Sequence, residues 1–426
     1  MVIRSGFKQT DVGVIPKEWD TFALGELLYS MQLGGNYRNS ERRSNWPLIK
    51  MGNLGRSKIK LDKLEFIDLS HLPNPKDRLY EDDVLFNTRN TLELVGKVAI
   101  WRNELNEAYF NSNIMRMSFN ESCVSSSRFM NYILNTPSSI SKLYSIATGT
   151  TSVAAIYSRD LIKLRIPLPS KAEQKSIAGA LSDADTYIES LDHLIAKKRR
   201  IKQGVMQELL TGKRRLPGFQ IKSGFKETTI GPIPTDWDVK PLQNIVEFAN
   251  GKPHEGDVTI DGQFWLITLD SIGIDGNLKS VHKRTNAPDS LLHKNDIVAV
   301  LSDLAHGHLL GLCDLIPQND TYVLNQRMGR LRITTSASPH FIRLQINRFQ
   351  EHFRKRGQGT SQKHIYRRDF DKLEIPFPLP REQEAIGRII SDIEMEIHTI
   401  QQKFNVAKQI KQGMMQELLT GRIRLV

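Results

Sequence analysis

The chain has 426 residues, enough for two ordinary domains, each with its own core. Hydrophobic residues at 39% and charged residues at 25% exclude a disordered chain. Lys and Arg outnumber Asp and Glu by 59 to 47, a formal charge of +12. That excess favours a polyanionic partner, because each phosphate neutralised releases a counterion. No apolar run approaches the ~18 residues that a bilayer requires, and Met1–Gly6 lacks a signal-peptide core, so a cytoplasmic, non-membrane protein is expected. Cys123 and Cys313 have no Cys or His neighbour at zinc-ligand spacing and read as small buried residues in a reducing compartment.

In chain order, the opening segment Gly6-Phe7-Lys8 through Gly13, Ile15-Pro16 and Trp19-Asp20 recurs 218 residues later, from Gly224 to Trp237-Asp238. A polar stretch follows, Gly34-Gly35-Asn36-Tyr37-Arg38-Asn39, continuing to Arg42 and Arg43. Short β-branched runs such as Val84-Leu85-Phe86 and Lys97–Trp101 predict strands between turns. Directly after the first come Thr88, Arg89 and Asn90. Asn111-Ser112-Asn113 and the hydroxyl-rich loop Gly149-Thr150-Thr151-Ser152 complete the first polar set. Side chains of these types, carried on loops or strand ends, can reach base edges, whereas phosphate contacts only position a protein.

Next comes a Pro-punctuated edge, Ile166-Pro167-Leu168-Pro169, and a long helix of about 40 residues, ~60 Å at ~1.5 Å rise per residue. Its apolar residues Ile177, Leu181, Ala184, Ile188, Leu191 and Ile195 step by threes and fours, as a coiled-coil seam requires. After Lys198 the phase shifts, and Ile201, Val205 and Leu209 are expected to continue the stripe. The basic run Lys197-Lys198-Arg199-Arg200 with Lys202 reads as a solvated helix face or a docking patch. Gly212 falls where a C-terminal cap is expected.

The second half repeats the scheme. Its strand Ile297–Leu301 and its polar stretches are the counterparts of those in the first half. They are Gly251-Lys252-Pro253-His254, Ser302-Asp303, Asn325-Gln326-Arg327 and Gly359-Thr360-Ser361-Gln362-Lys363-His364. From Ile156-Tyr157 and Arg159-Asp160 onward the offset is 209, giving Ile365-Tyr366 and Arg368-Asp369. The same offset relates Glu173-Gln174 to Glu382-Gln383 and the helix end Met206–Gly212 to Met415–Gly421. The second seam is Ile386, Ile390, Ile393, Ile397, Ile400 and Phe404, then Ile410, Met414 and Leu418. The ends of the halves are nearly identical and the middles have diverged, which suggests one scaffold carrying two different readers. The residues expected to touch DNA are therefore Asn36, Arg38, Arg42, Arg43, Thr88, Arg89, Asn90, Asn113, Thr150 and Thr151 in the first half. In the second half they are Lys252, His254, Ser302, Gln326, Arg327, Ser361, Gln362, Lys363 and His364.

The chain carries no phosphate-binding Gly-x-x-x-x-Gly-Lys-Ser/Thr loop, no strand-linked Gly-x-Gly-x-x-Gly and no Asn/Asp-Pro-Pro-Tyr/Phe. Nor does it carry a Gly-x-Ser-x-Gly elbow or a His-Glu-x-x-His. His306 and His308 form a lone pair without a third ligand. No catalytic residue and no metal site are expected.

Three duplicated motifs carry a family resemblance. They are the Gly-Phe-Lys-x-Thr-x-x-Gly-x-Ile-Pro-x-x-Trp opening, the Ile-Pro…Glu-Gln-x-x-Ile boundary and the Lys-Gln-Gly-x-Met-Gln-Glu-Leu-Leu-Thr-Gly helix end. Together the chain resembles the specificity subunit of Type I restriction-modification systems over its whole length. The resemblance implies an α+β architecture with a pseudo-two-fold internal repeat. Strand-rich target-recognition domains at residues 1–165 and 216–374 would be separated by long antiparallel coiled-coil helices at 166–215 and 375–426. It implies that the domains read a bipartite, asymmetric double-stranded DNA site, and that the helices set the spacer. Two modification subunits, which methylate adenine with S-adenosylmethionine, and two restriction subunits, which use ATP and Mg2+, would supply the chemistry. This chain would bind no cofactor and would not itself be an enzyme. Glu173, Gln174, Glu382, Gln383, Gly212 and Gly421 match scaffold positions of the family. A methylation-only or Type IIB-like system would use the same kind of reader. A coiled-coil protein-binding scaffold is the alternative of another class.

Overall fold

The computed structural model describes residues 5–70, 72–304 and 306–425. The chain forms two compact units, Met1–Asp192 with Gln402–Val426, and His193–Gln401. Each unit therefore combines a strand-rich body with parts of both long helices.

In the first unit a five-stranded sheet runs Leu28–Leu33, Ile114–Phe119, Val84–Asn87, Val98–Ile100, Ser57–Lys58. Val84-Leu85-Phe86 is apolar at every position because both faces of its strand are covered. Val84 and Phe86 join the core around Trp19, Leu24 and Phe129, while Leu85 joins a second core with Trp101 and Phe110. A four-stranded sheet, Tyr109–Phe110, Pro47–Ile49, Glu65–Ile67, Asn39–Ser40, lies beyond that second core. The second unit repeats the device. Its sheet runs Val246–Asn250, Met328–Ile333, Ile297–Val300, Cys313–Leu315. Ile297 and Ala299 face one core and Val298 and Val300 another. The duplicated Pro-containing segments pair with the strands after Trp19 and Trp237, Pro167 opposite Thr21 and Pro376 opposite Val239. These ribbons have only two strands, so a proline costs no central ladder bond.

The long helices span Lys171–Leu209 and Pro380–Leu418, 39 residues each. In the first unit Ile177 and Leu181 share a core with Leu418 and Leu419. In the second, Ile386 and Ile390 share one with Leu209 and Leu210. The start of each helix thus packs with the end of the other, and the pair is antiparallel. Past the phase shift the seam departs from the sequence pattern at one position, where Ile201 and Ile410 are 42% and 58% exposed, and is buried again at Leu209 and Leu418. The residue after each exposed isoleucine turns inward instead. Lys411 pairs with Asp185 at 2.5 Å in the first unit, and Lys202 with Glu394 at 2.7 Å in the second. A one-residue rotation of the stripe swaps an isoleucine for a lysine, and the lysine finds a half-buried carboxylate. Burial alone would raise the Asp185 carboxyl, but Lys411, Tyr132 and Arg102 more than offset it and hold it low.

Both helix ends are latched alike. Glu173, fully buried, accepts from Trp19 Nε1 at 3.1 Å and from Arg424 Nε at 2.6 Å. Glu382 accepts from Trp237 Nε1 at 3.0 Å and from Arg215 Nε at 2.7 Å. Beside them Gln174 and Gln383 accept from the backbone N–H of Ser125 and Ser338, at 2.9 and 3.0 Å. Gly212 and Gly421 both adopt φ +68°, and a Cβ at either would lie 2.3 Å from a ring atom of Pro234 or Pro16. Only glycine fits there.

Candidate nucleic-acid interface

The strands that carry the expected readers are short and lie at the end of each central sheet. After the buried Val84–Asn87 strand, Arg89–Asn90 leaves the five-stranded sheet and pairs with Ala154–Ala155, which turns back onto Thr148–Gly149. Gly149, at φ +134°, permits this hairpin, since a Cβ would lie 2.3 Å from the Val153 carbonyl. Leu92 N–H donates to the Thr151 carbonyl at 3.1 Å, and Thr88 Oγ1 to the Asn113 carbonyl at 2.9 Å. Asn111 bridges Gly35, beside Asn36. Thr88, Arg89, Asn90, Asn113, Thr150, Thr151 and Asn36, far apart in sequence, are thereby brought to one region of the first unit. Arg89, Thr150, Thr151 and Asn36 are exposed there. Arg38, Arg42 and Arg43 are also exposed but belong to the other sheet, around the Asn39–Ser40 strand paired with Glu65–Ile67.

The second unit builds the same device with other side chains. Ser302–Leu304 pairs with Gln362–His364, Ser302 opposite His364 and Asp303 opposite Lys363. Lys252 bridges Asn325, and Gln326 N–H donates to the Lys252 carbonyl at 2.7 Å. Gly251 and Gly34 occupy equivalent places, and at both a Cβ would collide with a backbone carbonyl, of Asn325 or of Phe110. Arg327 sits at φ +69° and is exposed, and Ser361 is exposed beside the hairpin. Two expected readers are placed differently. His254 is 2% exposed, its ring within 3.2 Å of Asp289 but without an aligned hydrogen bond. Ser302 is 3% exposed and holds His364 Nδ1 at 2.6 Å. His254 is held by its backbone N–H to Asn325 Oδ1 at 3.0 Å, and Ser302 opens the strand paired with Gln362–His364. As placed they orient neighbours, Lys252 through Asp289 in one case and the His364 ring in the other.

A family model described as the Type I restriction modification DNA specificity domain matches twice, over residues 16–198 and 234–409. The chain belongs to this family. A Methanocaldococcus jannaschii protein provisionally assigned as the type I restriction enzyme MjaX specificity subunit is 26% identical over 430 residues, covering 98% of this chain and 97% of that one. The MjaVIII specificity subunit of the same organism is 26% identical over 65% of this chain and 66% of its own. The fold is that of the Type I restriction-modification S subunit from M. genitalium, with a TM-score of 0.66 at 14% identity over 98% of both chains. A chain from a structural study of type I complex assembly gives 0.52 at 15% identity, covering 96% of this chain and 99% of that one. Specificity subunits are the non-catalytic DNA-recognition component of type I systems.

For a specificity subunit, one grouping escaped the sequence. Arg56, Lys60 and Lys97 converge in the first unit, and the Lys97 ammonium is lowered by burial and by the two neighbouring cations. Lys97 adjoins the region of the expected readers, since Asn87 N–H donates to its carbonyl at 2.9 Å. Spread over the chain as they are, the three residues gave no sequence signal. The basic run of the first helix resolves in part: Lys198 pairs with Glu396 and Lys202 with Glu394, each at 2.7 Å. The rings of His306 and His308 lie 5.5 Å apart. Among the described residues no cluster of three His, Cys, Asp or Glu side chains is arranged to hold a metal, and no helix is long and apolar enough to cross a membrane.

Proposed function

We propose that this specificity subunit reads a bipartite double-stranded DNA target, one half-site per unit, and so directs modification and restriction subunits to it. The observation that carries this reading is the repeated hairpin. One scaffold holds Arg89-Asn90 against Ala154-Ala155 in the first unit and Ser302-Asp303-Leu304 against Gln362-Lys363-His364 in the second. Different side chains at matched places of a common scaffold suit two different base sequences. The partners would be two modification subunits, which use S-adenosylmethionine, and two restriction subunits, which use ATP and Mg2+, in the cytoplasm; this chain would hold none of those cofactors.

Methylome sequencing tests this in a host expressing the chain with its modification subunit, against a host lacking the chain. A new bipartite motif carrying N6-methyladenine, with a fixed spacer, is the expected result. A continuous motif, or none from an assembled and methylation-competent complex, would overturn the bipartite reading.

A further inference from the structure

The duplicated segment Ile156–Leu161, matched by Ile365–Phe370, is explained by packing only in part. Ile156 and Ile365 are 3% and 2% exposed, and Leu161 and Phe370 are 0% and 1%. Those positions anchor the turn in the core. The tyrosines between the anchors do the opposite, since Tyr157 is 46% and Tyr366 49% exposed. Over each ring stands the arginine two residues on, Arg159 and Arg368, with its guanidinium carbon 5.3 Å from the ring centroid in both units. The Arg159 side chain is 79% exposed. Arg159 Nε also lies 3.4 Å from the Asp160 carboxylate. An exposed pair held at the same ring distance, within halves whose neighbouring loops have diverged, needs a common task outside the core.

Its position says which. Ile156 N–H donates to the Thr88 carbonyl at 3.0 Å, and Ile365 N–H to the Leu301 carbonyl at 2.9 Å. Each Tyr–Arg pair therefore begins two residues beyond the strand that pairs with Arg89-Asn90 or with Ser302-Asp303-Leu304. What two different half-sites share is not their bases but the phosphodiester backbone. Each segment, Tyr157–Leu164 and Tyr366–Leu373, carries a net single positive charge. An arginine stacked on a ring is already ordered, so pairing it with a phosphate costs little further rotamer freedom.

We propose that Tyr157 with Arg159, and Tyr366 with Arg368, form in each unit a sequence-independent clamp on the DNA backbone, the guanidinium pairing with a phosphate and the ring packing on the adjoining deoxyribose. This rests on the reading of the chain as a DNA-specificity subunit. The same surface could instead meet a protein subunit, and the test separates the two.

The probe is the complex with the modification subunit, titrated by fluorescence anisotropy at 50–200 mM salt (about that range suffices to define a slope). One duplex carries the motif found by methylome sequencing and the other has both half-sites scrambled. Arg159→Ala and Arg368→Ala should each weaken both duplexes by roughly 5- to 10-fold near ~0.1 M salt and lower the salt slope by about 0.9. The ratio between the duplexes should not change. Tyr157→Phe and Tyr366→Phe should bind as wild type, and Arg159→Lys should keep the slope, which guards against a folding artefact. Unchanged affinity and slope would overturn the clamp. So would a collapse of the duplex ratio, which would make these residues base readers. Loss of subunit assembly, with normal DNA affinity in the complex that remains, would make the surface a protein contact. A wild-type complex that fails to distinguish the duplexes would instead sink the specificity reading itself.

Discussion

The two units share a scaffold but differ beside the helix ends. In the first, a cavity of about 590 Å3 opens among Ile133, Thr136, Arg165, Met415 and Leu419, and buried Asn135 leaves its Oδ1 without a partner there. In the second, the places of Ile133 and Thr136 are taken by Gln345 and Arg348, which donate to the Leu210 carbonyl at 2.8 and 3.4 Å. The latches differ too. Arg215 is held by Glu382 and by Asp236 at 2.6 Å, with 9% of its side chain exposed; Arg424, held by Glu173 and Glu18, is 27% exposed. Identity between the halves is strict where a helix end meets Trp, Glu and Gly, and relaxes one layer further out. The second unit is the more tightly closed.

The largest test of that contrast is at the latch. Glu382→Ala leaves Arg215 with Asp236 and the Phe219 carbonyl, and the buried Trp237 N–H without its acceptor; it should cost about 3–5 kcal/mol in urea unfolding. Glu173→Ala should cost less, because Arg424 can turn to water. Equal losses would mean that the two latches are equivalent despite their exposure. Next, Gln345→Ala removes a buried donor from the Leu210 carbonyl and should cost about 1–3 kcal/mol, whereas Thr136→Ala removes the side-chain cap of the Pro137–Ser145 helix, the acceptor of the Ser139 N–H, and should cost about 0.5–2 kcal/mol. A Thr136→Ala loss larger than that of Gln345→Ala would show that the first unit is closed as tightly there as the second.

Much of this architecture could be read before the structure. The helices, their seam apart from Ile201 and Ile410, the strands at Val84 and Ile297 and the glycine caps follow from period, burial and turn chemistry, all local in the chain. The departures are places where a local pattern met a distant partner. Ile201 and Ile410 lost the inward position to lysines because Glu394 and Asp185 lie across the seam, a fact no single-helix periodicity contains. His254 and Ser302 look like loop readers by composition but are turned in by Asn325 and His364. The Arg56–Lys60–Lys97 group exists only once the sheet is assembled.

The reading hairpins allow a sharper contrast at comparable scale. Arg89→Ala and Gln362→Ala should each relax base preference in one half-site by about 1–3 kcal/mol and leave the other half-site as it was. Methylome sequencing of each variant reads this directly. A variant that degrades both half-sites together would mean that the units do not read independently.

The smallest effect is in acid. Asp236 and Glu18 are equivalent positions of the repeat, each beside a latch arginine. Burial opposes ionisation of Asp236, but Arg215 and the Ile221 N–H outweigh it and bring the carboxyl from 3.8 to about 2. Glu18 is also lowered, by a backbone hydrogen bond first and by Arg424 second, but it is exposed. A carboxyl whose value is depressed by folding contributes stability that is complete above its ordinary value and disappears as pH falls through the depressed one. The Asp236 contribution should therefore fade between about pH 5 and 2. Asp236→Asn should flatten the fall of urea-unfolding stability across that window more than Glu18→Gln does, because water already screens Glu18. Equal flattening by the two variants would show that the first latch closes in solution as tightly as the second.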